Sequence, residues 1–302
     1  MKLEFLHPKY WPLWTMIVVA RLFVLLPYKT QMQCGKFIGR FSMRFAKKRC
    51  HIAACNIKLC FPELSPSQQQ ALLIKSFESI GMSLIETLIA WWMPNKLFSK
   101  ISCTYKGKEN FFRAIQEGKG IILCSGHFTC LEIIGRFCCQ HYNFYSIYQK
   151  HRNPVFNHIM YERRSRYVHK LISRTNIKGM VRNLRNKGLL WYAPDQDLGA
   201  KRSVFANFFG VPTATLKATS WLALKTDAKV VPFFFRRLPN YKGYEVEALP
   251  HFTDFPSEDN IKDASAYNTV LEKYIRTCPE QYLWQHRRFK TRPEGCGDIY
   301  KK

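Results

Sequence analysis

Apolar residues recur in two rhythms along this chain. Leu73, Phe77, Ile80, Leu84, Leu88 and Trp91 fall every three to four positions, the mark of a helix with one face in a core. Ser65-Pro66-Ser67-Gln68 opens that helix with a capping serine, a first-turn proline and a glutamine at the capping-box position; Pro94 stops it. From about Ile101 onward the rhythm changes. Short apolar runs predict strands at 120–125, 144–149, 188–193, 229–235 and 244–249, and helices are predicted near 111–117, 128–139, 155–173, 213–225 and 264–276. This alternation predicts an α/β fold: a layered, mixed, mainly parallel sheet flanked by helices.

A third pattern lies before both. From Trp11 to Tyr28 the chain is apolar except for Pro12, Thr15 and Arg21. Its length of about 18 residues just suffices to cross a bilayer, and Trp11, Trp14 and Tyr28 suit the interface. Arg21 weakens the spanning reading, and two others stay open: a buried core helix and a helix lying along the bilayer. No carboxylate occurs between Glu4 and Glu63, while Lys36, Arg40, Arg44 and Lys47 or Lys48 recur at helical spacing, with Ile38, Phe41 and Phe45 on another face. Such a row of like charges repels itself in isolation. Anionic membrane lipid would turn that repulsion into binding. The segment has no small-x-small cleavage site, so it reads as a retained anchor and not as a signal peptide. The expected organisation is an anchor at 1–30, a basic amphipathic and helical region at 31–100 packed on the catalytic domain, and the catalytic domain at 101–302.

Charge extends this picture. With 47 Lys and Arg against 21 Asp and Glu, the net charge is +26, which predicts anionic partners. A hydrophobic fraction of 47% with 15% aromatic residues excludes a disordered basic tail. A nucleic-acid-binding protein would share the charge, but no recognised binding motif is present and the apolar N-terminus would go unexplained; no nucleic-acid partner is expected. The 11 cysteines include no CxxC pair and read as reduced thiols. No metal-ligand cluster or phosphate loop is evident, so neither metal nor cofactor is expected.

The candidate chemistry lies in Gly120-Ile121-Ile122-Leu123-Cys124-Ser125-Gly126-His127-Phe128-Thr129-Cys130-Leu131-Glu132. This reads as a buried strand, a glycine turn and a helix start. It places His127 and Glu132 at the carboxyl edge of a sheet, where α/β folds put their sites. In one regular helix, residues five apart do not face each other. The pair meets if His127 lies in the turn and Glu132 in the first helical turns. A histidine at a helix N-terminus is disfavoured as imidazolium, so it would stay neutral and accept a proton, with Glu132 fixing its tautomer. From spacing alone, a satisfied histidine beside an unrelated glutamate fits equally well. Cys130 lies three residues after His127, so a Cys–His acyl-enzyme is a further option.

Several motifs, in order, resemble the bacterial lipid A biosynthesis acyltransferases of the lysophospholipid acyltransferase superfamily. They are Leu6-His7-Pro8-Lys9-Tyr10-Trp11, Asn56-Ile57-Lys58-Leu59-Cys60-Phe61-Pro62-Glu63, His127 to Glu132, Ala193-Pro194-Asp195-Gln196-Asp197, Phe208 to Thr215, and Pro279 to Trp284 with His286 to Pro293. His-Phe-x-x-Leu-Glu is closer to the lauroyl type, while Asn153-Pro154-Val155-Phe156 is similar to the myristoyl type. The resemblance implies a His127/Glu132 general-base dyad. It also implies substrate-binding roles for Arg164, Arg174, Asp195, Gln196 and Asp197, whose bland readings are a solvated basic face and a polar turn. The implied donor is an acyl carrier protein thioester, and the implied acceptor is a hydroxyacyl chain of a lipid A precursor of the Kdo2-lipid IVA type. The implied location is the cytoplasmic face of the bacterial inner membrane. A phospholipid-precursor acyltransferase is the alternative. Arg287, Arg288, Lys290 and Arg292 form a basic cluster that could meet headgroups, carrier protein or sugar phosphates.

Overall fold

The computed structural model describes residues 3–301. Its helices are α1 (Trp11–Phe23), α2 (Tyr28–Ser42), α3 (Lys47–Cys60), α4 (Pro66–Trp92), α5 (Asn95–Phe98), α6 (Lys108–Gln116), α7 (Leu131–Cys138), α8 (Pro154–Arg164), α9 (Ile177–Arg185), α10 (Ala218–Thr226) and α11 (Asn260–Thr277). Its strands are β1 (Cys103–Lys106), β2 (Ile121–Cys124), β3 (Phe144–Tyr148), β4 (Lys170–Ser173), β5 (Leu189–Tyr192), β6 (Ser203–Phe208), β7 (Val211–Leu216), β8 (Lys229–Arg237) and β9 (Tyr244–Ala248). Seven strands form one sheet in the order β1-β9-β8-β2-β5-β3-β4, and β6-β7 stands apart as a hairpin. Only β8–β9 is antiparallel within the large sheet, so the expected α/β class with a mainly parallel sheet is what forms.

The sequence explains the middle of that sheet. Ile121, Ile122, Leu123 and Cys124 are all buried, as a strand covered on both faces requires. β2 pairs with β5 through Cys124↔Tyr192 and with β8 through Cys124↔Pro232. The loops after β2 and β5 therefore leave the same edge side by side. The first carries His127; the second carries Asp195.

Helix α4 connects the N-terminal region to this core. Its capping box is formed as expected, with Ser65 Oγ accepting from Gln68 N–H and the Gln68 side chain accepting from Ser65 N–H. The buried face differs in detail from the expected stripe. Leu73, Phe77 and Trp91 are buried, but Leu84 is 55% exposed and Glu86 is fully buried. Glu86 takes Arg237 of β8 in two hydrogen bonds of 2.7 Å and accepts from Tyr244 Oη at 2.6 Å. A buried carboxylate requires that kind of pairing. Helix α2 lies against α4 at glycine contacts: a Cβ on Gly39 would sit 2.0 Å from the Phe77 carbonyl oxygen, and one on Gly81 2.0 Å from that of Gly35.

Of the readings open for the N-terminal segment, the spanning one finds no support in the structure. No helix among the described residues is long and apolar enough to cross a membrane. The apolar segment breaks at Val24–Pro27: α1 has 13 residues, about 20 Å of helix, and α2 starts only at Tyr28. α1 is no core helix either. Leu13, Trp14 and Ile17 pack on a small cluster containing Trp91, Val155 and Ile159, while Trp11, Met16, Val18, Val19 and Leu22 are exposed. On α2, Phe37 and Phe41 stack at 6.1 Å and Phe41 meets Phe45 edge-on at 5.3 Å. Phe37 and Phe45 are 70% and 77% exposed.

Two other expectations fail locally. The helix predicted over 155–173 ends at Arg164, and 170–173 is instead the edge strand β4. The helix predicted from 213 begins at Ala218, because 211–216 pairs with β6.

Candidate active site

His127 sits in the turn after β2, and Gly126 makes room for it: a Cβ there would lie 2.7 Å from Leu271 and 3.5 Å from Asp195 Oδ2. Asp195 holds the histidine twice. The His127 backbone N–H donates to Oδ2 at 2.8 Å, and the ring bonds through Nδ1 to Oδ1 at 2.5 Å. With Asp195 ionised, Nδ1 carries the shared proton and Nε2 keeps its lone pair. Asp195 is 2% exposed and the His127 side chain 31%, so one end of the pair is sealed and the other opens to the cleft.

Burial works against both charged forms, and the pairing outweighs it. Asp195 is opposed by desolvation, yet His127 and the backbone N–H bring its pKa down to about 2. For His127, desolvation lowers the pKa, while the Asp195 charge and hydrogen bond raise it; the net direction is upward. This is opposite in direction to the expected effect of a helix N-terminus, which would lower the histidine pKa. α7 starts only at Leu131, with Cys130 at its cap, so the ring answers to the carboxylate.

The expected His127–Glu132 hydrogen bond is also corrected. Glu132 enters the first turn of α7 and faces other partners. Arg164 Nη2 bonds to its Oε1. Trp91 Nε1 and Tyr167 Oη donate to its Oε2 at 3.0 and 3.3 Å. His127 and Glu132 nevertheless share one cavity of about 260 Å³. Its wall runs along α7 through Leu131, Ile134, Gly135 and Cys138, and Phe144, Ile147, Trp191, Phe233 and Phe235 line the sheet side. The cavity is polar at the histidine and apolar beyond it. Larger clefts of about 410 and 490 Å³ lie around Arg236 and Tyr241 and beside Leu25 and Lys100. Neither contains His127, so chemistry and not size assigns the site.

The other expected site residues separate. Arg164 lies on the cavity wall. Arg174 is exposed, and its Nη1 donates to Gln149 Oε1 at 3.0 Å, so it stands at the rim. Gln196 lines a small polar recess behind the histidine with Asn56, His286 and Arg288. Asp197 is not open to a substrate. It is 3% exposed and accepts from Gly199 N–H, Thr291 N–H and Thr291 Oγ1, which braces the loop to the C-terminal segment. Arg288 of the basic cluster is likewise internal, donating to the Ala214 carbonyl and to Thr215 Oγ1. Cys130 is fully buried, and burial, reinforced by Glu86, pushes its thiol well up; a low-pKa nucleophile would need the opposite. Trp91 and Tyr167, which fix Glu132, carried no signal in the sequence beyond being aromatic.

The arrangement suits general-base chemistry on a substrate whose long apolar part occupies the cavity. Comparison with known proteins gives it a class. Residues 1–291 match the family model described as bacterial lipid A biosynthesis acyltransferase. The chain is 38% identical to the lipid A biosynthesis lauroyltransferase of Escherichia coli K12, over 98% of this chain and 96% of that one. It is 37% identical to the lipid A biosynthesis palmitoleoyltransferase of the same strain, over 98% and 97%. A solved 1-acyl-sn-glycerophosphate acyltransferase from Thermotoga maritima aligns with a TM-score of 0.38 at 12% identity, over 83% of this chain and 99% of that one; the fold rests on the sheet itself and not on that distant likeness. The chain is an acyltransferase. It belongs to the bacterial lipid A biosynthesis acyltransferase family.

Proposed function

We propose that this chain transfers a fatty acyl group, lauroyl within the C12–C14 range, from an acyl carrier protein thioester to a hydroxyacyl chain of a lipid A precursor of the Kdo2-lipid IVA type. The observation that carries this reading is the His127–Asp195 pair opening into an apolar cavity. His127 Nε2 takes the hydroxyl proton as the oxygen attacks the thioester carbonyl. Asp195 accepts from Nδ1–H and stabilises the imidazolium as it forms. The tetrahedral intermediate collapses, the C–S bond breaks, and the departing sulfur takes the proton back from Nε2. The products are an ester and a free carrier thiol.

Glu132 acts at the same site through Arg164. Its carboxylate holds the guanidinium against the cavity wall, with Trp91 and Tyr167 fixing the carboxylate in turn. The remaining N–H groups of Arg164 suit the developing oxyanion or a substrate phosphate. Arg174, bonded to Gln149 at the rim of the cavity, fits a polar part of an anionic substrate, while Gln196 lines the recess behind His127. The lauroyl and palmitoleoyl relatives are about equally similar to this chain, and the mass added to the acceptor distinguishes the two chain lengths.

The same reading places the protein on the cytoplasmic face of the bacterial inner membrane, attached without spanning it. The exposed apolar side of α1 and the Phe37–Phe41–Phe45 ladder supply the buried area. The flanking Lys36, Arg40, Arg44, Lys47 and Lys48 supply attraction to anionic lipid. Mass spectrometry of a lipid A precursor incubated with the protein and mixed acyl carrier protein thioesters tests the function. One added acyl mass is expected. Acylation of a glycerophosphate acceptor instead would favour the phospholipid-precursor reading, and no added mass on either acceptor would overturn both.

A further inference from the structure

Most glycines packed inside this fold are there because nothing else fits. A Cβ on Gly39 or Gly81 would lie 2.0 Å from a backbone oxygen, and one on Gly120 2.2 Å from the Leu184 carbonyl. Gly135 is different. It sits within α7, where glycine weakens a helix relative to alanine. Its φ is not in the left-handed region, and a Cβ would have one neighbour within 4 Å, Tyr167 Cε2 at an ordinary 3.7 Å. Neither backbone nor packing calls for glycine here. Its place does: it lines the cavity beside His127 and Glu132.

The direction of the cavity gives this opening a consequence. α7 follows β2 and leads back to β3, so it descends from the carboxyl edge of the sheet to the amino edge. His127, Glu132 and Gln149 line the cavity at the upper end. Cys138, at the end of α7, and Phe144, the first residue of β3, line it at the lower end. Gly135 lies between them, about 6 Å along the helix from Leu131. A side chain there would project into the path between the reacting end and the space beside Cys138 and Phe144.

We propose that Gly135 is a specificity-determining position: the side chain it lacks opens the lower part of the cavity, and so sets how long an acyl chain the enzyme accepts. This rests on the reading of the cavity as the acyl site.

The test uses purified full-length wild type, Gly135→Ala and Gly135→Leu. Each is offered an equimolar mixture of decanoyl to palmitoyl carrier thioesters with the lipid A precursor, and the products are weighed by mass spectrometry. Gly135→Leu should lower the ratio of longer to shorter chains transferred by about tenfold or more, the scale of discrimination for misfit in an apolar pocket. Gly135→Ala should shift the ratio the same way by less, with a raised Tm, since alanine favours the helix. Unchanged ratios in both variants, within about twofold, would overturn the proposal whether or not total activity falls. A second readout needs no turnover. Free fatty acids of the same lengths should raise the Tm of wild type, and the longer ones should cease to do so for Gly135→Leu. Equal stabilisation of both proteins by every length would also overturn it. Wild type that binds fatty acids with this dependence but acylates no lipid A precursor would sink the functional reading and leave Gly135 standing.

Discussion

Asp195 grips His127 at two points, the ring nitrogen at 2.5 Å and the backbone N–H at 2.8 Å, across 68 positions of sequence. Both residues follow strands that are neighbours in the sheet, so the contact is a product of topology: β2 and β5 run parallel and end level at Cys124↔Tyr192. The backbone bond fixes where the carboxylate sits, and the ring bond fixes which nitrogen is free. Together they leave Nε2 as the ring nitrogen free of Asp195, the atom that the proposed mechanism uses as base.

Glu132→Gln separates two models of the site. Because Glu132 bonds to Arg164, Trp91 and Tyr167, its neutralisation should leave the acidic limb of the pH–rate profile in place. It should reduce kcat and cost stability, about 2 kcal/mol for a half-buried Arg164 left without its counter-charge. Thermal melting and pH–rate profiles of this variant check both effects. A displaced acidic limb would mean that Glu132 contacts the ring during turnover.

Asp195 also predicts acid sensitivity. Its pKa falls from an unfolded value of about 3.9 to about 2 when folded. A depressed carboxylate contributes stability above its unfolded pKa and loses it as pH falls through the folded one. Unfolding free energy should therefore decline between about pH 4 and pH 2, and Asp195→Asn should flatten that part of the curve. The raised pKa of His127 arises from the same contact, so the two shifts count once. Urea titrations across the acid range measure the slope.

The Glu86–Arg237 pair is sealed, with side chains 0% and 5% exposed. Glu86→Gln leaves a buried guanidinium without its charge partner and should cost about 3–5 kcal/mol. Arg237→Met should cost a similar amount through the orphaned carboxylate, while Glu86→Leu with Arg237→Met should recover much of the loss. Denaturant unfolding of the two single variants and the double variant tests this.

The aromatic ladder that runs from α2 to Phe45, just past its end, should matter for location and not for folding. Phe37, Phe41 and Phe45 are each at least 44% exposed, so replacing all three by serine should change Tm little. Each phenylalanine buried in lipid is worth about 1.5–3 kcal/mol. Flotation with anionic vesicles should therefore drop from mostly bound to mostly free. Undiminished flotation would place the attachment elsewhere, with the exposed face of α1 next in line.

Much of this architecture is legible in the chain because local chemistry dictates it. Four consecutive buried residues announce β2, the capping box announces α4, and the apolar run before Asp195 announces β5. What fails does so where local and tertiary signals part. Leu171 and Ile172 make only two buried positions of an edge strand, too few to break the helical reading of 155–173. The β6–β7 turn has positive φ at Phe209 and Gly210, the conformation for which Asn-Gly is the usual signal; phenylalanine there conceals the hairpin. The motif histidine, the motif glutamate and Asp195 are all visible at one sheet edge. Which carboxylate takes the ring is not, because that depends on where α7 begins. A start at Leu131 turns Glu132 toward Arg164 and leaves the imidazole to Asp195.

The most direct test is the pH dependence of acyl transfer by wild type and Asp195→Asn. The raised pKa of His127 means that the base form is lost as pH falls, so wild-type kcat/KM should drop along an acidic limb centred above the ordinary histidine value of about 6.5. Removing the Asp195 charge should move that limb to lower pH and cut the plateau by about 10²–10⁴. A variant with an unshifted limb and a wild-type plateau would contradict the account, because the ring would then owe nothing to Asp195.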